Sequence, residues 1–60
     1  MNVEAIERIR MFVSGTRQKS VLAASNCMQN GYKQVALEHL NEVTLADMVL
    51  KDLSEEQHAR

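Results

Sequence analysis

Sixty residues, 45% hydrophobic and 25% charged with a formal net charge of −1, allow one small domain with a thin core, because a chain this short hides only about 60% of the surface its unfolded form exposes. The apolar content is too high for a disordered chain, and the near-neutral balance gives no electrostatic reason to expect nucleic acid or an anionic membrane as partner of the whole chain. The lone Cys27 excludes an internal disulfide framework and fits a reducing compartment.

The start "MNVEAIERIRMF" puts charges where a signal peptide needs an apolar run. No stretch approaches the roughly 20 apolar residues of a membrane span, so a cytoplasmic protein is expected. There is no proline, and Gly15 and Gly31 are the only glycines, which permits long helices nearly throughout. Asn2 can cap a first helix, with Glu4 and Glu7 in its opening turns where the helix dipole favours carboxylates.

From there apolar or small residues fall at Ile6, Ile9, Val13, Thr16, Ser20, Ala23 and Cys27. The alternating steps of three and four mark one helical face and predict a helix over about 3–28. The stretch "SGTRQKSVLAASNC" at 14–27 continues the stripe without a phase break, and Gly15 is a local weakness of about 1 kcal/mol on the outer face. Two shorter helices broken at Ser14, Gly15 and Thr16 are the alternative.

"QNGY" at 29–32 is the strongest turn signal, since Asn and Gly tolerate the left-handed conformation that ends helices. The turn is placed at about 29–31. A second helix follows over about 32–53, with its stripe at Tyr32, Ala36, His39, Val43, Ala46, Leu50 and Leu53. Ser54 with Gln57 can begin a separate terminal turn, and the tail 54–60 is expected to fray.

The fold expected over residues 1–60 is therefore a single all-α domain, an antiparallel two-helix hairpin. Folding the second stripe onto the first pairs Ile6 with Leu53, Ile9 with Leu50, Val13 with Ala46, Thr16 with Val43, Ser20 with His39, Ala23 with Ala36, and Cys27 with Tyr32. These pairs share a centre between Gln29 and Asn30, where the turn signal lies. Aliphatic residues meet at the open end, and small ones near the turn let the backbones approach. His39 opposite Ser20 needs a hydrogen bond if buried, because an unpaired polar group there costs about 1 to 3 kcal/mol.

The halves are oppositely charged. Residues 1–30 carry Arg8, Arg10, Arg17 and Lys19 against Glu4 and Glu7, a net +2, and residues 31–60 have a net −3. Arg8 and Lys19 flank one side of the first stripe and Arg10 and Arg17 the other, and they are expected to pair across the seam with Glu38, Glu42, Asp47 and Asp52, each pair worth little alone.

Apolar residues are left over. Leu37, Leu45 and Met48 form a line of their own on the second helix, while Met11 and Leu22 point to one outer side of the first and Val21 and Met28 to another. The seam must also offset the backbone entropy of nearly sixty residues, which leaves an isolated hairpin marginal. A partner interface is therefore expected at Leu37, Leu45, Met48, Met11 and Leu22, with assembly into a four-helix bundle or coiled-coil dimer, or docking on a protein partner.

Catalytic chemistry is sought without result. The E-x-x-H formed by Glu55 and His58 is half of the motif used by di-iron helical bundles, but it lacks further carboxylates at the same depth and reads as a charged tail. Cys27 and His39 have no third residue to orient the histidine for nucleophilic catalysis, and no glycine-rich phosphate loop is present. No catalytic residue, metal or cofactor is expected.

The early "IERIRMFVSGT", a Cys close before the turn and "GYKQVALEHL" with its Tyr just past the glycine resemble the short cytosolic helical-hairpin co-chaperones that, with a larger helical-repeat chaperone, hold a type III secretion needle subunit. The resemblance covers most of the chain. It implies that the leftover line on the second helix, or the outer face of the first, docks on the larger chaperone. The function expected from the residues themselves is a non-enzymatic protein-interaction module, a homodimer, adaptor or co-chaperone. The alternative is an RNA- or DNA-binding regulatory hairpin dimer.

Overall fold

Asn2 begins the first helix as its residue type predicts: its backbone is extended and its side-chain oxygen accepts from the Ala5 N–H at 2.7 Å, satisfying one of the donors a helix start leaves free. The computed structural model describes residues 2–58. They form two helices and one turn, α1 (Val3–Gln29) and α2 (Lys33–His58). Both lie side by side in a single layer with principal extents of 45 × 15 × 11 Å.

The turn is a Schellman closure. Gly31 takes the left-handed conformation at φ 81° and donates to Met28 O at 3.2 Å, and Tyr32 N–H reaches back to Cys27 O at 2.8 Å. Asn30 adds a side-chain bond from Nδ2 to Asn26 O at 2.8 Å. These bonds use the carbonyls that the end of α1 exposes.

Gly15 does not interrupt α1. Its φ is not positive and a Cβ built there meets nothing within 4 Å, so the glycine contributes only its backbone entropy. Gly15→Ala should raise the unfolding free energy by about 0.5–1 kcal/mol, read as a higher midpoint in urea. A lower midpoint would mean that residues 14–16 bend in solution.

The second stripe lies where the spacing put it. Ala36, Ala46 and Leu53 are buried, and His39, Val43 and Leu50 are half-buried. Tyr32 is the correction: it is 63% exposed, because it ends the Schellman turn, and its carbonyl accepts from Ala36 N–H at 3.0 Å. The tail is corrected too. Residues 54–58 continue α2, with Ser54 and Gln57 half-buried; residues 59–60 of the expected frayed tail lie outside the described residues.

On α1 the buried face is rotated from the expected one. Ile6, Ser20 and Ala24 are buried, and Arg10, Val13, Arg17 and Cys27 are half-buried, whereas Ile9 and Thr16 are exposed and Ala23 is half-buried. The spacing is still three and four, but Arg10, Arg17 and Ala24 take the places assigned to Ile9, Thr16 and Ala23. Long methylene stems cover the seam while their charged heads reach its rim: Arg10 donates to Gln57 Oε1, and Arg17 Nε bonds Asp47 Oδ1 at 2.6 Å. Gln57 in turn donates to Glu7 Oε1 at 2.9 Å. These bonds carry α2 on to His58.

Of the expected cross-seam ion pairs, Arg17 with Asp47 forms. Arg8 instead pairs with Glu4 of its own helix at 2.9 Å, and Glu42 takes His39 Nδ1 at 2.6 Å. His39 thus finds its partner one turn along α2 rather than in Ser20. Among the described residues Glu38, Asp52 and Lys19 enter no ion pair.

Candidate interaction surface

A single layer of two helices has two broad faces, and each helix has one neighbour to bury against. The consequence shows in the side chains. Among the described residues only Ile6 and Leu53 are large apolar side chains in the buried core, while fourteen large apolar residues are exposed. A small helical protein ordinarily hides most such side chains against a second layer.

On one face the rotation of α1 opens a trough between the helices. Phe12, Val13 and Thr16 of α1 and Leu45, Ala46 and Val49 of α2 line an apolar groove of about 240 Å³, closed at one side by Glu42. A second, more polar groove of about 190 Å³ continues it toward the turn, sharing Thr16 and Glu42 and adding Lys19, Ser20, Ala23 and His39. Phe12, at 75% exposure, stands over the apolar part. Rotating Ile9 and Thr16 out of the seam is what places them on this flank, since adjacent residues of a helix differ by about 100° around its axis.

Of the residues expected at an interface, all five are exposed, but they do not share one surface. Leu45 lines the groove. Leu37 and Met48 lie further round α2. Met11 and Leu22 fall on the back of α1, nearly opposite the seam by the same angular rule. Phe12 and Val49 were not singled out by the sequence reading. Two further stripes could have revealed them: Ala5, Ile9, Phe12, Thr16, Lys19 and Ala23 on α1, and Glu38, Glu42, Leu45, Val49, Asp52 and Glu56 on α2, both spaced by threes and fours.

The basic residues of α1 form no open cationic surface. Arg8, Arg10 and Arg17 are engaged with Glu4, Gln57 and Asp47, and Lys19 sits at the edge of the polar groove. Arg10 Nε is buried without a partner among the described residues, a cost of placing the guanidinium over the seam. Cys27 is a half-buried free thiol. No three His, Cys, Asp or Glu side chains among the described residues stand close enough to hold a metal ion, and no described helix is long and apolar enough to cross a membrane. No family model matches the chain, and no curated protein or solved structure matches it either.

Proposed function

We propose that the protein is a non-enzymatic interaction module, a helical hairpin whose apolar face is covered by another protein chain. The observation that carries this reading is the imbalance, among the described residues, between two large apolar side chains in the core and fourteen on the surface. Isolated surface apolar residues are ordinary; here three of them, Phe12, Leu45 and Val49, gather around one trough on a molecule one helix thick. An adaptor and a co-chaperone are both forms of this role, and docking on a larger chaperone, as the needle-subunit co-chaperones do, is one special case.

A nucleic-acid-binding role is the competing reading, and the engagement of three of the four α1 cations within the hairpin weighs against it. Salt separates the two. Association through an apolar face should hardly respond to ionic strength, whereas phosphate binding weakens steeply as salt rises.

A photo-crosslinking residue at position 45 tests the role directly. In cells it should yield adducts with a protein chain, a copy of itself included, while the same residue at position 51, on exposed surface away from the trough, should yield none. The reading is overturned if position 45 gives no adduct and the purified chain is a stably folded monomer at micromolar concentration.

A further inference from the structure

The trough face carries its own charge pattern, and that pattern selects an occupant. On α2 the exposed stripe is acidic at both ends and apolar in the middle: Glu38 and Glu42, then Leu45 and Val49, then Asp52 and Glu56. On α1 the same face presents Ile9, Phe12 and Thr16, with Lys19 at one end of this apolar run and Arg8 beside the other. The α1 edge carries Lys19, which no carboxylate among the described residues pairs, with Arg8 bound to Glu4 at the other end, and the α2 edge is acidic at both ends, with an apolar centre at the same height on both. A surface of this kind is complementary to itself.

We propose that the trough is covered by a second copy of this chain, related by a two-fold axis parallel to the helices. This rests on the interaction-module reading and specifies its partner. Each α1 then lies over the α2 of the other copy, and the two turns sit at the same end of a four-helix bundle. Phe12 meets Val49 of the partner subunit, Thr16 meets the partner's Leu45, Lys19 meets the partner's Glu42, and Arg8 comes level with the partner's Asp52.

The other face-to-face arrangement, with the axis perpendicular to the helices, stacks α2 on α2 in opposite directions. It can also join Leu45 to Val49, but it sets Glu42 against Asp52 and Glu38 against Glu56 on both sides of that contact. Like charges so placed in an interface are repulsive, and α1 on α1 brings no carboxylate of α2 within reach of Lys19.

Surface area agrees with a dimer. A compact protein of 6.8 kDa exposes about 4000 Å² by the usual mass scaling, and this chain exposes 4720 Å². The surplus of roughly 700 Å² is close to the ~800 Å² that each partner buries in a stable interface.

Spin labels at position 29 in a Cys27→Ser background test the arrangement alongside the mass in solution. A dimer with its labels closer than about 30 Å, as helix spacings in one bundle end require, is the expected result. A dimer with labels separated by about the 45 Å length of the hairpin overturns the axis while leaving the interaction role standing. A monomer overturns the second copy as occupant, and the crosslink at position 45 then judges the role separately.

A mixing experiment gives an independent readout with surface residues alone. Lys19→Glu chains and Glu42→Lys chains should each dimerise more weakly than the parent, and mixed together they should form the heterodimer in excess of the share that random exchange gives, as counted by native mass spectrometry. Random proportions would sink the Lys19 to Glu42 contact between copies and with it the parallel axis.

Discussion

Replacing Ile6 by alanine should cost about 2–5 kcal/mol, enough to lower the melting temperature by roughly 10 °C or more or to abolish a cooperative transition altogether. Among the described residues Ile6 is the one large side chain with no exposed surface. It sits at the open end of the hairpin, where no turn holds the helices together and Leu53 is the other large buried residue. Deleting its branched chain leaves a void whose walls are two helices with nothing behind them, so they separate rather than collapse inward. Met11→Ala supplies the control. At 73% exposure on the back of α1, Met11 has little packing to lose within the hairpin, and its change should stay within about 0.5 kcal/mol. Thermal melts followed by circular dichroism distinguish the two, and a tolerated Ile6→Ala would show that the helices do not close at their open end.

The second large effect is expected from adding volume rather than removing it. Ala36 is fully buried and Ala24 is 3% exposed, one on each helix within three turns of the hairpin bend. Small side chains there let the two backbones come close, so added atoms meet the facing helix. Ala36→Leu should cost about 1–3 kcal/mol and force the helices apart beside the turn. Hydrogen exchange would then show faster exchange at the amides of residues 24–36, while Leu45 and its neighbours change less. The same replacement at Gln34, exposed and one residue past the start of α2, should be nearly neutral. An Ala36→Leu chain melting at or above the parent would mean that the close approach near the turn is absent.

The contrast between Ala36 and Ala24 shows what could be read in advance. Ala36 belongs to a stripe with one phase: on α2 the residues at Ala36, His39, Val43, Ala46, Leu50 and Leu53 form the set of strictly alternating threes and fours that avoids Asp, Glu, Lys and Arg from 36 to 53, and they are the ones turned inward. On α1 two sets share Ile6, Val13, Ser20 and Cys27. One adds Ile9, Thr16 and Ala23, the other Arg10, Arg17 and Ala24. Counting apolar residues favours the first, and the folded chain uses the second. An arginine counts as polar in a sequence stripe, yet most of its side chain is hydrocarbon that can lie over a seam if its head finds a partner. Those partners, Asp47 and Gln57, lie 30 and 47 residues away, and no local pattern announces them.

The trough depends on that same choice. Had Ile9 and Thr16 faced the seam, Phe12 on the same side of α1 would have turned toward α2 with them and narrowed the trough. Leu45 was legible because it falls outside the seam on a helix whose phase was certain. Phe12 and Val49 were not, because their significance arises only when two helices are set side by side at a particular rotation.

What the amino-acid order determined alone is the local architecture: an Asn2 cap, a chain free of proline, an Asn-Gly turn at 30–31 and a long rod on either side of it. Each follows from backbone preferences that act over a few residues. Tertiary structure alone decided how α1 is rotated about its axis, that residues 54–58 extend α2, and therefore which apolar side chains are left on an open face. A single helix is indifferent to its own rotation; contacts made once the helices lie together, the hydrogen bonds of Arg10 and Arg17 and the burial of Ala24 among them, distinguish one facing from another.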